Sequence, residues 1–220
     1  MTYFPLAETH DTGEAYFESL GLIGGSTGMV PLVVGSSTFP ALDDYDGTAL
    51  TITDSVAKSA TAGASSWAGW NLSSAITKCL IVAYEAPGTS QYTGVGVHKG
   101  TLPGTTLENG YSTMHYPPGN YLNIGKHVTN GGTTWTAIGS EATIFQDDVV
   151  TSAVWGIAFY VDPDNDIQRT FLKSGTAQWL QVLETADDSS ASGLTSFQSV
   201  FLRYEGSDCR FITPIMCWGA

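Results

Sequence analysis

VVTSAVWGIAFYVDPDNDIQRTFLKSG, residues 149–175, spells two strands around an acidic turn. Trp155, Ile157, Phe159 and Val161 fall on one face of a period-two ribbon, while Val154, Gly156 and Ala158 give the opposite face small side chains that a second layer can cover. A strand of this kind belongs inside a sandwich. Asp162-Pro163-Asp164-Asn165-Asp166 supplies the turn: proline presets one dihedral, and Asp and Asn side chains bond nearby backbone and tolerate left-handed geometry. Ile167 to Leu172 resumes the extended pattern and ends at Lys173-Ser174-Gly175, where a second reversal is expected.

Working outward, further strands are expected at 48–53, 78–85, 92–98, 135–138, 142–145, 178–184, 197–204 and 210–218, short and separated by turn residues. One short helix is expected near the N-terminus, with Asp11 or Thr12 as its cap, Glu14 at capping-box distance from Asp11 and Gly21 as terminator. Residues 22–40 read as an arm carrying one strand, in contact with the main body or a neighbouring subunit. The fold class is therefore all-β: a two-sheet antiparallel β-sandwich with a short N-terminal helix and arm (1–35) ahead of the sandwich domain (36–220). Pro214 donates no ladder hydrogen bond, so the last strand should lie at an edge or carry a bulge there. Residues 99–132, rich in Gly, Pro, Asn and Thr, read as one long loop holding Tyr111, Tyr116 and Tyr121.

Composition narrows the function classes. Eight basic against 21 acidic residues give a net charge of −13, which repels a phosphate backbone and an anionic bilayer alike, so neither nucleic acid nor membrane is an expected partner. The N-terminus shows no basic n-region followed by an apolar h-region, and the longest apolar run falls far short of the roughly 20 residues that span a bilayer. Cys79, Cys209 and Cys217 read as free buried thiols, since the latter two would lie about 26 Å apart on one extended strand.

The strand Gly94-Val95-Gly96-Val97, the aromatic insert with Tyr116 and Gly119-Asn120-Tyr121, the Asp148-Val149-Val150 approach to Gly156-Ile157-Ala158-Phe159, Asp162, and the Phe171 to Gly175 turn follow one another in a known order. From roughly Ser73 onward the chain resembles the SPRY domains and, more broadly, the concanavalin-A-like lectin and laminin-G-like jelly rolls. Ser174 stands where the SPRY pattern has Asn, so the resemblance is one of fold. It implies a bent sandwich whose rim loops bind a protein segment or a sugar. Phage capsid decorations, fibres and tail tips use such domains, and the Gly, Ser and Thr richness is similar to that of virion proteins. The expected role is a non-enzymatic virion structural or decoration protein of capsid, tail or fibre, assembled in the host cytoplasm. It would act by homo-oligomeric packing with other virion proteins and by attachment to capsid or host-surface glycan. The alternatives are a stand-alone carbohydrate-binding module and a divergent glycan-cleaving enzyme.

Candidate ligand-binding residues are Tyr111, His115, Tyr116, Asn120 and Tyr121, whose rings can stack on a sugar while Asn bonds its hydroxyls; packing of the insert onto the sandwich or a subunit interface is the competing role. Asp162, Asp164 and Asp166 alternate like the first three ligands of a calcium loop, but Ile167 and Lys173 occupy positions where an EF-hand needs Gly and Glu. A Ca²⁺ cofactor and a plain acidic hairpin both remain open on that pattern. His98, His115 and His127 match no compact metal spacing. No strand carries alternating carboxylates of the kind a retaining glycosidase needs, and no nucleophile elbow or phosphate loop occurs, so no catalytic residue is assigned.

Overall fold

The computed structural model describes residues 11–46, 50–59, 66–86, 92–102, 109–116, 121–127, 135–143, 154–174, 178–187, 189, 193–205 and 209–220. Fifteen strands occur among them: β1 Val30–Gly35, β2 Asp44–Asp46, β3 Leu50–Thr53, β4 Val56–Ser59, β5 Ser66–Ile76, β6 Cys79–Ala86, β7 Thr93–His98 and β8 Gly110–Tyr116, followed by β9 Tyr121–His127, β10 Trp135–Thr143, β11 Trp155–Asp162, β12 Ile167–Ser174, β13 Leu180–Ala186, β14 Phe197–Tyr204 and β15 Arg210–Gly219. They form two antiparallel sheets. One runs β13-β12-β11-β6-β15-β4-β3, with β1 also paired to β15; the other runs β10-β9-β8-β7-β14-β5-β2. The all-β sandwich expected from the sequence is the fold.

β11 behaves as its pattern requires. Trp155, Ile157, Phe159 and Val161 enter the core between the sheets, while Ala158 and Tyr160 face a second apolar layer outside the eight-stranded sheet. That outer layer is built by the N-terminal segment. Helix α1, Glu14–Ser19, sets Phe17 against Phe171 and Trp179 at ring-centroid distances of 5.3 Å each, and Leu22, Ile23 and Met29 extend the cover over Leu80, Val82, Tyr84, Met216 and Trp218. Burying Phe17 alone stabilises by roughly 1.5–3 kcal/mol. The arm therefore contacts the main body, and its strand β1 hydrogen-bonds along Ile215–Gly219 of β15. The helix start differs from expectation: Gly13 is the cap with no side-chain bond, and Asp11 instead accepts from the Gly13 N–H at 3.0 Å. Gly21 ends the helix with φ 68° as foreseen.

One further expectation is corrected, and the one on Pro214 is met by its second arm. Residues 99–132 are not one long loop, because β8 and β9 lie within them as interior strands of the seven-stranded sheet. Their alternation is hidden in the sequence by polar residues on the inner face of β8. Pro214 does not place β15 at an edge: β6 pairs one side, and β4 and then β1 pair the other. The expected irregularity is there, as a register shift between Ile212 and Met216 opposite β6, which takes Pro214 out of the ladder. All three cysteines are free and buried, and the Cys79 and Cys217 sulfurs lie 3.5 Å apart in the core. No helix among the described residues is long and apolar enough to cross a membrane.

Candidate functional site

The outward face of the seven-stranded sheet gathers the side chains best suited to hold a ligand. In β7 the valines of Gly94-Val95-Gly96-Val97 point into the core and the glycines point out. Register extends this into rows across the sheet. One row holds Trp67, Arg203, Gly94, Met114 and Asn123; the next holds Gly69, Phe201, Gly96, Ser112, Gly125 and Ala137. The missing side chains leave room for rings laid flat: a Cβ on Gly96 would stand 2.4 Å from the Phe201 ring, and one on Gly125 would stand 2.2 Å from the Trp135 ring. Asn71 pins the segment after β7 onto this face, accepting from the Leu102 N–H at 2.6 Å and donating to the Leu102 carbonyl at 2.7 Å, so Leu102 packs on Trp67 and Phe201.

Trp135, at the far side, donates its indole N–H to Ser112 Oγ at 3.3 Å, and Ser112 also lies 3.3 Å from His127 Nε2. Arg203 reaches toward them from β14. Its Nη1 is 3.4 Å from His127 Nε2 and its guanidinium carbon is 5.9 Å from the Trp135 ring centroid, a cation–π arrangement. Burial, followed by the charge of Arg203 and the nearby His98, pulls His127 from its ordinary 6.5 down to about 3, so the imidazole is neutral at physiological pH and can accept from the guanidinium. Burial also lowers the Arg203 pKa, against the opposing pull of Glu205 and Tyr92.

At the other end of the same face, Tyr92, Tyr116 and Tyr121 form a half-buried aromatic ledge. Tyr92 stacks on Tyr116 with ring centroids 4.4 Å apart and a 22° interplanar angle, Tyr121 lies 5.0 Å from Tyr116, and the Tyr92 and Tyr121 hydroxyls share a hydrogen bond. Between ledge and tryptophan, Asn123 donates to Glu141 Oε1 at 3.1 Å. Glu141 reaches it because β10 shifts register between Ile138 and Ala142, where Gly139 takes φ 75°, a conformation glycine adopts without strain. From Ser112 to Tyr116 the strip runs roughly 13 Å along the strand. Half-buried aromatic rings stand at both ends, with the exposed Glu141 carboxylate and the half-buried Arg203 guanidinium beside them, while Ser112, Asn123 and His127 are buried beneath.

The residues singled out from the sequence divide between the two sides of β8 and β9. Tyr116 and Tyr121 belong to the ledge. Tyr111 and His115 are buried inside the sandwich: Tyr111 donates to Asp187 at 2.8 Å, and His115 Nδ1 donates to Glu85 at 2.6 Å with its ring edge-on to Trp155. Burial pushes the Tyr111 hydroxyl pKa up, with Asp187 adding to the rise. Asn120 lies outside the described residues. Of the three aspartates of the turn, Asp162 and Asp164 share Lys78, at 3.1 and 3.9 Å, and Asp166 turns to another partner. Asp162 is buried and held by Lys78 at 3.1 Å, Asn165 at 2.9 Å and Tyr160 at 3.1 Å; Asp164 is exposed; and Asp166 accepts the Ser189 N–H at 2.9 Å. Burial raises the Asp162 pKa, but the bonds from Asn165, Lys78 and Tyr160 more than offset it and hold the carboxyl below its ordinary value. Among the described residues no three His, Cys, Asp or Glu side chains gather as metal ligands. Trp135, Arg203, Asn123, Tyr92 and Glu141 were not singled out from the sequence, and His127 was weighed only against metal spacings; the one signal that could have found them was the outward glycine column of β7, which marks where rings can lie.

No protein-family model matches the chain, and no curated protein matches it by sequence. Solved structures do share the fold. The carbohydrate-binding module CBM66 from Bacillus subtilis aligns over 86% of this chain and 93% of its own, with 11% identity and a TM-score of 0.51. A Bacillus subtilis protein of unknown function with a galectin-like fold covers 79% and 87%, with 9% identity and a TM-score of 0.55. Winged bean acidic lectin, solved with methyl-α-D-galactose, covers 87% and 98%, with 9% identity and a TM-score of 0.55. The architecture is thus a lectin-like sandwich of the galectin, legume-lectin and concanavalin type. The narrower SPRY and phage resemblance gains no support from these structures.

Proposed function

We propose that the protein is a carbohydrate-binding, lectin-like module without catalytic activity, and that it takes its ligand on the outward face of the seven-stranded sheet. The observation that carries this reading is the pairing, on one face, of the Tyr92, Tyr116 and Tyr121 ledge with Trp135 across a strip of hydrogen-bonding groups. Sugar rings combine apolar C–H faces with a rim of hydroxyls, and flat aromatic surfaces beside an exposed carboxylate complement both parts. The sandwich fold shared with CBM66 and winged bean lectin supports the same reading. A virion structural role gains nothing from those structures, so the carbohydrate-binding alternative becomes the main one.

A glycan array probed with the intact protein, followed by calorimetry on the best ligand, tests the proposal. Tyr116→Ala and Trp135→Ala should each weaken binding by roughly tenfold or more, the effect of losing a buried aromatic contact. The absence of any glycan signal, or binding that neither substitution disturbs, would sink the reading; turnover of an oligosaccharide would overturn its non-enzymatic part.

A further inference from the structure

We infer that the interior of the sandwich binds a water molecule sealed from bulk solvent, held jointly by Glu85, Thr93 and His115 and so joining the two sheets. The inference stands apart from the carbohydrate-binding reading, since all three side chains face inward. Glu85 lies on β6 of the eight-stranded sheet, beside Trp155 and Phe211 of the core. Thr93 and His115 lie on β7 and β8 of the seven-stranded sheet as directly paired residues. Each of the three residues is 0% exposed. Yet Glu85 Oε2, Thr93 Oγ1 and His115 Nε2 are buried with no hydrogen-bond partner among the described residues. Unpaired polar atoms are costly in a core, and protein interiors pair them with other groups or with ordered water.

The three atoms belong to one cluster. His115 Nδ1 donates to Glu85 Oε1 at 2.6 Å, so the second carboxylate oxygen and the second ring nitrogen flank that bond. Directly paired antiparallel residues bring their Cβ atoms to about 4.5–5.5 Å, which sets the Thr93 side chain beside that of His115. On its other side Thr93 pairs with Tyr204, so a short side chain stands between two rings and the inner surface of the sheet dips at its hydroxyl. The donors and acceptors complement water. With Nδ1 as the donor, Nε2 of the neutral ring accepts, the carboxylate oxygen accepts, and the threonine hydroxyl can donate. One water can donate to Oε2 and Nε2 and accept from Oγ1, the roughly three bonds usual for a buried molecule. A metal ion fits less well. The set has a single carboxylate, whose other oxygen already takes the His115 proton, and among the described residues no three His, Cys, Asp or Glu gather as ligands.

A high-resolution crystal structure of the intact protein tests the inference directly. Density for one oxygen should lie about 2.7–3.2 Å from at least two of Glu85 Oε2, Thr93 Oγ1 and His115 Nε2. In solution, oxygen-17 relaxation dispersion reads the same molecule as a long-lived internal water. Thr93→Val keeps the branched shape and removes the hydroxyl, so the dispersion amplitude should fall by one water's share, whereas Thr93→Ser should keep it. Thermal melts of both variants establish that they fold, and the density in the unaltered protein needs no variant at all. Featureless density among side chains that keep these positions overturns the inference, as does direct bonding of the three atoms to one another. A peak at about 2.0–2.6 Å, the distance of a bound cation, does the same. An amplitude that Thr93→Val leaves unchanged takes Thr93 out of the site and overturns the inference as stated. Glycan binding, present or absent, bears on none of these outcomes.

Discussion

Tyr111, Thr113 and His115 occupy successive inward positions of β8, and each bonds across the core to the opposite half of the sandwich: Tyr111 to Asp187, Thr113 to Thr170 at 2.9 Å, and His115 to Glu85. Residues that look suited to a ligand by type are here the polar seam that joins the sheets. The Glu85 and His115 side chains are 0% and 1% exposed, so neither can turn to water if its partner is lost. His115→Phe should therefore destabilise by roughly 3–5 kcal/mol, as expected when one member of a buried pair is removed. At roughly 2–4 °C per kcal/mol for a chain of this size, the melting temperature should fall by about 6–20 °C. The double variant His115→Phe/Glu85→Leu should recover part of that loss, because no polar group is then stranded. A double variant no more stable than the single one would show that the pair is not what the site depends on.

Between elements, the outward glycines of β7 and β8 are a matter of space. A Cβ on Gly94 would fall 2.0 Å from the Thr113 carbonyl oxygen, and one on Gly110 would fall 2.1 Å from that of Val97. Backbone cannot yield as the end of a side chain can, so Gly94→Ala should cost roughly 1–3 kcal/mol and loosen the β7–β8 pairing. Urea unfolding would read the cost, and faster amide exchange at Val95 and Thr113 would place it; an alanine variant as stable as the parent would mean that the strands can part at no cost. The same strand shows how far the sequence could be read. Alternation of Val and Gly in β7 and of large and small residues in β11 is legible because one face is plainly apolar. β8 was not legible, since its inward face holds Tyr, Thr and His, whose partners Asp187, Thr170 and Glu85 come from 76, 57 and 30 residues away. The same distance in sequence hid the strip on the outward face: Arg203, Trp135 and His127 belong to three strands, and nothing local marks them as neighbours.

For the whole molecule, the decisive contacts close late. β15, the last strand, lies between β6 on one side and β1 and β4 on the other, so the eight-stranded sheet is incomplete until residues 210–219 are in place. A chain ending before Arg210 should lack cooperative unfolding and elute as an expanded or aggregated species, since truncation would leave both the core residues and the layer beneath helix α1 without Phe211, Ile215, Cys217 and Trp218. Circular dichroism and size-exclusion chromatography would check this, and a compact, cooperatively melting product would refute the central place given to β15. So many long-range pairings also imply slow folding relative to helical domains of similar stability.

By itself the sequence determined the all-β class, the position of the acidic reversal, the inward and outward faces of β7 and β11, and the excess of acid over base, all of which follow from local alternation, turn chemistry and composition. Tertiary structure alone decided that Tyr111 and His115 are core bonds, that Asp162 and Asp164 share Lys78 while Asp166 holds Ser189, and that Arg203, His127, Trp135 and the tyrosine ledge share one face. The physical reason is that a strand's own periodicity fixes which side a residue points to, whereas the register between strands far apart in the chain fixes what it meets there.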